Sequence, residues 1–311
     1  MRLSGLALAG LLLIAPACVS QETELATPSP RIPDAATGAV GTLTGADAKR
    51  GAAEIRNGKV YGLGVITGVD TPAYGERGYS IEITPHGDQP PIGRNGAIAM
   101  DDKIVANLGV GSQVDGFAHL GSNGTYFGGK AESEVWAQDG VVQYGTHTIP
   151  PIATKGVLLD IAALKGVERL SAGYAITPED IEAALARQSS SINSGDVALF
   201  HTGWQALAET DPAAFLQGEP GIDVAAAKWL VDRGVVAIGA DSWAVEVLPN
   251  PDPELIFPVH SFLLGDSGVH ILESMDTSAL AADGAYEFMF VLGVPRFEGA
   301  VQMVINPVAI R

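Results

Sequence analysis

Cysteine is nearly absent from this chain, which has Cys18 as its single cysteine among 311 residues. A disulfide needs two thiols, so an intrachain disulfide is excluded, and no thiolate is available beyond residue 18 as a metal ligand or a nucleophile. The stability of the fold must therefore come from its core, which a chain of this length with 47% hydrophobic residues can build.

Basic residues are also scarce: 18 Lys and Arg stand against 36 Asp and Glu, for a formal net charge of −18. No basic cluster relieves this balance, so nucleic acid is not an expected partner. After residue 15 no segment is continuously apolar over about twenty residues, so we expect no membrane-spanning helix in the mature chain. A Gly-x-Ser-x-Gly motif is also missing, which argues against a serine acyl-enzyme.

The first residues have the pattern of an export signal. Met1-Arg2 precedes an apolar run over residues 3–15, and Ala15-Pro16-Ala17-Cys18 offers a small-residue cleavage site. We expect export, either to the periplasm or with a lipid anchor on Cys18, which would be the only attachment to a membrane. Ordinary cleavage nearby and lipoprotein processing both remain open, because a lipobox usually has Leu where Ala15 stands.

Residues 19–41 are rich in Thr, Pro, Ala and Ser and have no apolar periodicity, so they are predicted to form a flexible linker. Residues 42–311 show no second linker and no internal repeat, which favours one domain. Within it helical and extended patterns alternate, and the fold class is α/β. The patterns predict helices over 46–56, 178–187 and 224–233, and strands over 60–67, 157–161, 197–201 and 235–239.

One extended stretch sets an amide, a carboxylate and an imidazole on a single face. Gln113, Asp115 and His119 alternate along it, and a strand repeats its side-chain direction every two residues. Oxygen and nitrogen ligands on a stiff strand are suited to a divalent metal ion. Two later extended segments carry His260 and Glu273, which are the natural partners for Asp115.

This stretch resembles a sequence signature of the form His-x-Gly-Thr-His-x-Asp-x-Pro-x-His. Asp115 and His119 match it, whereas Gly109 and Gln113 replace its two leading histidines. Nearly all of the chain after about residue 38 is similar to the family of cyclases and metal-dependent hydrolases that includes bacterial kynurenine formamidase and isatin hydrolase. The other similar segments are 125–129, 154–160, 202–204, 219–221, 239–243, 260–264 and 272–273.

The resemblance implies a single α/β domain with a central mixed β-sheet flanked by helices, and a metal-dependent hydrolase that opens amide or cyclic amide bonds. It implies one divalent ion, Zn or Mn, because the two leading histidines of a two-metal site are missing. His119 would be the catalytic general base or an additional metal ligand. The implied metal ligands are Asp115, His260, Glu273 and Gln113, and the implied substrate contacts are Phe117, Tyr126, Trp204 and Trp243.

Two other functions remain open on the sequence. Loss of the two histidines is compatible with an exported, metal-poor protein that binds a small molecule on the same fold. A metal-dependent cyclase or dehydratase acting on a substrate other than an amide would keep the metal. The substrate itself stays open among small amides, lactams and lactones, and since relatives assemble we expect a homo-oligomer.

Overall fold

The structure is a computed structural model that describes residues 31–85, 87 and 89–311. The predicted export signal, Cys18 and the first part of the predicted linker lie outside these residues. None of the helices in the described part has both the length and the apolar character that crossing a bilayer requires.

Strands and short helices alternate through the described residues. The α-helices are α1 Gly45–Ala52, α2 Glu132–Val135, α3 Ile161–Lys165, α4 Pro178–Gln188, α5 Leu207–Thr210, α6 Pro212–Gln217, α7 Val224–Asp232, α8 Pro258–His260 and α9 Ser278–Ala282. The strands are β1 Val60–Gly62, β2 Tyr79–Pro85, β3 Met100–Ala106, β4 Gln113–Asp115, β5 Trp136–Ala137, β6 Gly140–Val141, β7 Ile152–Asp160, β8 Ala175–Ile176, β9 Val197–His201, β10 Gly221–Ile222, β11 Ala237–Ala240, β12 His270–Glu273, β13 Glu287–Leu292, β14 Gln302–Val304 and β15 Val308–Ile310. Short 3-10 helices span Ala39–Thr42, Phe127–Gly129, Thr146–Thr148 and Trp204–Ala206, and a π-helix spans Ser261–Ser267.

A nine-stranded mixed sheet forms the centre of the molecule, in the order β1-β15-β13-β7-β9-β11-β12-β4-β14. The four middle strands, β7, β9, β11 and β12, run parallel to one another. The strands on both sides of them pair antiparallel. This architecture confirms the predicted α/β fold with a central mixed sheet.

The middle of the sheet is covered on both faces, which explains its continuous apolar runs. Val157, Leu158 and Leu159 in β7 have no exposed surface, although neighbouring side chains on a strand point to opposite faces. The antiparallel neighbour β13 adds Phe288 and Phe290, both fully buried. Parallel strands of this kind place their carboxyl ends at one edge of the sheet, where polar side chains can gather.

Helices α4 and α7 begin at the residues that the sequence predicts. The hydroxyl of Thr177 caps α4, Pro178 occupies its first turn, and Asp180 completes a capping box. The carboxylate of Asp223 caps α7 by accepting a hydrogen bond from the backbone N–H of Ala226 at 2.7 Å. These caps satisfy N–H groups that have no partner inside the helix.

Two predicted elements are shorter in the structure. The helix predicted over 46–56 is α1 and ends at Ala52, because the residues that follow are exposed or only partly buried and offer no apolar face to pack. The strand predicted over 60–67 is β1 and ends at Gly62, because β1 pairs only with the three residues of β15.

Residues 31–41, which belong to the predicted linker, are folded onto the domain. Arg31 forms an ion pair with Asp47 at 2.6 Å and donates a hydrogen bond to the hydroxyl of Ser194 at 3.0 Å. Ala39 and Val40 are buried in the core. The part of the linker that the structure describes is therefore anchored, because it offers both a cation and apolar side chains to the domain.

Candidate metal centre

The short strand β4 places the two side chains Gln113 and Asp115 on the same face of the sheet. It lies between β12 and β14, and both pairings are antiparallel. Gln113 stands opposite Glu273, and Asp115 stands opposite Gln302 on the other side. The register of the ladder therefore brings residues from three distant parts of the chain to one point.

Asp115, His260 and Glu273 form a buried cluster whose ligand atoms all lie within 4.8 Å of one another. Nε2 of His260 is 3.0 Å from Oε1 of Glu273 and 3.7 Å from Oδ2 of Asp115. Ligands that each sit about 2.1 Å from one ion in tetrahedral geometry are separated by about 3 to 4 Å. The two distances from Nε2 of His260 thus fit the spacing of ligands around a single ion.

The electrostatics of the cluster favour a cation. The buried Oδ2 of Asp115 has no hydrogen-bond partner among the described residues, whereas Oδ1 accepts a hydrogen bond from Nε2 of Gln302 at 2.9 Å. Burial, together with the charge of Asp115, raises the pKa of Glu273 to about 7. Two negative charges buried side by side repel each other. A divalent cation bound between the two carboxylates would compensate both charges.

His260 lies in α8 and not in the extended segment that the sequence predicts. Phe257 has a left-handed φ of 47°, and Pro258 then starts the helix because its fixed φ suits a first helical turn. Burial lowers the pKa of His260, but hydrogen bonds with Glu246 and Glu273 outweigh it and raise that pKa well above its usual value. The ring is therefore held between two carboxylates.

His119 reaches the cluster through a turn, because β4 ends at Asp115 and the predicted extended stretch does not continue. The backbone N–H of His119 donates to the carbonyl of Gly116 at 2.9 Å, which closes the turn. Its Nε2 lies 3.9 Å from Oδ2 of Asp115. Burial, and to a smaller extent the positive charges of His260 and Arg77, lower the pKa of His119, although Asp115 opposes them. The imidazole is therefore neutral near pH 7.

Gln113, predicted as a metal ligand, contacts Glu273, which is another predicted ligand. Its Nε2 donates a hydrogen bond to Oε2 of Glu273 at 2.5 Å. This contact orients the carboxylate so that Oε1 of Glu273 points toward His260. In this position Gln113 acts on the cluster through Glu273, as partners of metal ligands commonly do.

An aromatic cleft of about 180 Å³ opens beside the cluster. Tyr74 stacks on Trp243 with ring centroids 5.0 Å apart, and Phe257 meets Tyr74 edge-on at 6.2 Å. Trp243 was predicted to contact substrate, and it does line this cleft. The other lining residues are Arg77, His119, Leu120, Ala244, His260 and Glu273. A separate cavity of about 230 Å³ beside Arg31 and Asp266 is lined by neither His119 nor any residue of the cluster.

Three of the predicted substrate contacts lie outside the residues that line the cleft. Phe117 is buried in the core and stacks on His270 at 4.2 Å between ring centroids. Trp204 is buried, and its indole N–H donates to the carbonyl of Phe215 at 3.2 Å. Tyr126 packs on the core. Large aromatic side chains stabilise a core well, and these three are used in that way.

Several residues at the site were not predicted from the sequence. They are Tyr74, Arg77, Glu246, Phe257 and Gln302. Glu246 could have been found from the sequence, because it is the one charged residue in an apolar run between Val245 and Val247. A carboxylate in such a run is expected to be buried, and a buried carboxylate is normally paired. The others lie in segments whose sequence gives no sign of spatial proximity to the cluster.

The backbone is strained on both sides of the cluster. Val245, which precedes Glu246, has φ 62°, and Ser274, which follows Glu273, has φ 51°. A positive φ is costly for any residue other than glycine, and most of all for a β-branched one. Such residues concentrate at functional sites, and here they adjoin Glu273 of the cluster and Glu246, which hydrogen-bonds to His260.

The fold and the cluster together define an α/β protein with a buried centre of one imidazole and two carboxylates suited to a divalent ion. A sequence model of one protein family, described as "Putative cyclase", matches residues 41–247. The chain therefore belongs to this cyclase family. No curated protein sequence matches the chain significantly.

Solved structures share the fold over most of their length. A crystal structure of a novel cyclase is 28% identical, with a TM-score of 0.79, and the match covers 88% of this chain and 94% of that one. Isatin hydrolase A from Ralstonia solanacearum is 20% identical, with a TM-score of 0.61 and coverages of 86% and 97%. A potential metal-dependent hydrolase with cyclase activity is 17% identical, with a TM-score of 0.52 and coverages of 81% and 98%.

Proposed function

We propose that this protein is a metal-dependent hydrolase that opens an amide, lactam or lactone bond of a small aromatic substrate. The observation that carries the proposal is the buried cluster of Asp115, His260 and Glu273 beside an aromatic cleft, with one carboxylate oxygen left without a partner among the described residues. The similar folds of an isatin hydrolase and of a potential metal-dependent hydrolase support the same chemistry.

Asp115, His260 and Glu273 would hold one divalent ion, Zn or Mn. A set of oxygen ligands with one imidazole suits both metals. When bound, such an ion supplies Lewis acidity, which polarises a scissile carbonyl and makes water more acidic. We propose a single ion because Gly109 offers no side chain and Gln302 already occupies Oδ1 of Asp115.

His119 is the proposed general base. The water oxygen forms the new bond to the carbonyl carbon while Nε2 of His119 accepts the proton that the water loses. As the carbon–nitrogen or carbon–oxygen bond breaks, His119 returns this proton to the leaving atom. The lowered pKa of His119 keeps the ring neutral near pH 7 and ready for the first transfer.

The cleft determines the size and character of the substrate. Its volume of about 180 Å³ is smaller than the several hundred cubic ångströms typical of pockets for drug-sized ligands, so it suits a compound with about one aromatic ring. Tyr74, Trp243 and Phe257 offer ring faces and edges to such a compound.

Metal content, measured by elemental mass spectrometry on protein purified without a metal-affinity column, tests this proposal. About one Zn or Mn per chain is expected in the wild type, and its loss is expected in Asp115→Ala and in His260→Ala. Asp139→Ala changes an exposed carboxylate and serves as the matched control. A wild type without metal after incubation with both ions would favour a metal-poor binding protein. Bound metal without hydrolysis of amides, lactams or lactones would favour a cyclase or dehydratase.

We also propose that the protein is exported, because Met1-Arg2 and the apolar run over residues 3–15 have the composition of a signal peptide. Mass spectrometry of the N-terminus of protein recovered from a bacterial host decides between its two forms. A lipid-modified Cys18 at the new terminus indicates a membrane anchor, whereas an unmodified terminus near residue 18 indicates a periplasmic protein. Retention of Met1 would contradict export.

A further inference from the structure

Gly109 leaves room that another side chain fills. A Cβ atom at this position would lie 2.7 Å from Oε1 of Gln302 and 2.8 Å from Nη1 of Arg77, which is closer than real Cβ contacts. A larger residue at this position would thus have to displace the ends of these two side chains. A guanidinium group therefore stands beside the backbone position at which the resembled signature has its first histidine.

Arg77 is largely unpartnered in the part of the chain that the structure describes. It forms no ion pair there, and its one hydrogen bond runs from Nη1 to the carbonyl of Gly109 at 3.1 Å. A guanidinium carries five N–H donors in a fixed fork that matches a carboxylate. Arg77 is partly buried and lines the aromatic cleft together with His119 and Glu273. Most of its donors are therefore available to a ligand.

The charges that line the cleft point in the same direction. One divalent ion would compensate the negative charges of Asp115 and Glu273, so neither carboxylate would then serve as the counter-ion of Arg77. Glu246 hydrogen-bonds to Nδ1 of His260 and does not line the cleft. A partly buried cation that forms no ion pair attracts an anion more strongly than an exposed one does, because solvent screens it less.

We propose that Arg77 binds an anionic group of the substrate, so that the natural substrate is a small aromatic amide, lactam or lactone that also carries a carboxylate away from the scissile bond. This inference rests on the proposed hydrolase function and narrows its substrate class. The carboxylate accepts hydrogen bonds from Arg77, the ring packs on Trp243 and Phe257, and the scissile carbonyl faces the cluster of Asp115, His260 and Glu273.

Equilibrium binding to the metal-containing protein tests the assignment. The probes are hippurate, which has an aromatic ring, an amide and a carboxylate, and its uncharged methyl ester, both titrated by calorimetry. The wild type is expected to bind hippurate more tightly than the ester by roughly ten- to a hundred-fold, the range for a hydrogen bond to a charged group. Arg77→Met should abolish this ratio, and Arg77→Lys should keep part of it. Arg94→Met removes the same charge from an exposed position and should leave the ratio unchanged.

Two results would overturn the assignment of Arg77. One is a wild type with equal affinity for both probes, and the other is an Arg77→Met protein that still prefers hippurate, since the carboxylate would then bind elsewhere. Metal content is measured in every sample. If Arg77→Met keeps both its metal and the preference for hippurate over the ester, only the role of Arg77 is refuted. If the wild type holds no metal, the proposed hydrolase function is refuted.

Discussion

The carboxylate of Glu246 accepts two hydrogen bonds from His260, one from Nδ1 at 2.6 Å and one from the backbone N–H at 3.0 Å. The backbone N–H of Val259 adds a third at 3.2 Å. Because a carboxylate without a proton can only accept, Nδ1 carries the hydrogen, and Nε2 is the nitrogen that can bind a metal ion. Glu246 thus fixes both the tautomer and the orientation of the ring.

The first prediction concerns this pair. In Glu246→Gln the side chain keeps its size but loses its charge, so it no longer holds the imidazole in one orientation as firmly. The affinity for Zn or Mn should fall by about ten- to a hundred-fold, as is typical when the partner of a metal-binding histidine is changed. Competition with a chelator of known affinity measures the metal affinity of each protein. Glu254→Gln, which changes an exposed carboxylate, is the control, and equal affinities in all three proteins would refute the role of Glu246.

The sequence predicted those parts of the site that depend on short stretches of chain. Asp115 lies in the stretch that resembles the family signature, His260 and Glu273 lie in two later segments that are also similar to the family, and the structure brings the three together. The caps at Thr177 and Asp223 were predictable for a similar reason, because a helix start depends on only four or five neighbouring residues.

The cleft could not be predicted, because it is assembled from segments far apart in the sequence. Tyr74 and Trp243 stack although 169 residues separate them, and nothing local to either predicts the contact. For the same reason the sequence did not reveal that Phe117 and Trp204 pack in the core, since an aromatic side chain near a strand end can face either a core or a cleft. Only the tertiary packing decides between the two.

The second prediction separates proton transfer from metal binding. His119→Gln should keep the metal content of the wild type, because His119 is placed beside the cluster and not among its three ligands. Turnover of the best substrate from a panel of cyclic amides and lactones should fall by roughly a hundred- to ten-thousand-fold, the usual contribution of a general base. A variant that loses its metal as well would make His119 a ligand.

The third prediction concerns pH. Burial lowers the pKa of His270 to about 4, and Nδ1 donates a hydrogen bond to the carbonyl of Asp115 at 2.8 Å. The unfolded chain binds a proton at this histidine near pH 6.5, whereas the folded chain binds it only near pH 4. As the pH falls between these values, proton binding therefore stabilises the unfolded state and not the folded state. The free energy of unfolding decreases.

His270→Gln should remove this contribution. Between pH 7 and pH 5 the free energy of unfolding of the wild type should fall by about 2 kcal/mol more than that of the variant. Urea unfolding at both pH values measures the difference, with EDTA present so that release of a metal does not add to it. An equal loss in both proteins would place the titrating group elsewhere.

The hairpin of β2 and β3 has an exposed apolar face. Ile81 stands directly opposite Ile104 in the ladder, and Ile83 lies on the same face, where its partner is Asp102 at the edge of the apolar group. These three side chains are 44%, 60% and 55% exposed. The opposite face is mostly polar and includes an ion pair between Lys103 and Glu82 at 3.2 Å, together with the exposed Val105. Because a two-stranded hairpin alone is at best marginally stable in water, we expect its apolar face to be covered.

The fourth prediction is that a second copy of the chain covers this face, as expected for a homo-oligomer. Ile104→Asp places a charge within the apolar face and should reduce the molar mass of the mature protein in light scattering to that of one chain. Thr84→Asp adds the same charge to the polar face of the hairpin, so this control should keep the mass of the wild type. A monomeric wild type, or an Ile104→Asp protein that stays assembled, would show that the hairpin does not join two copies.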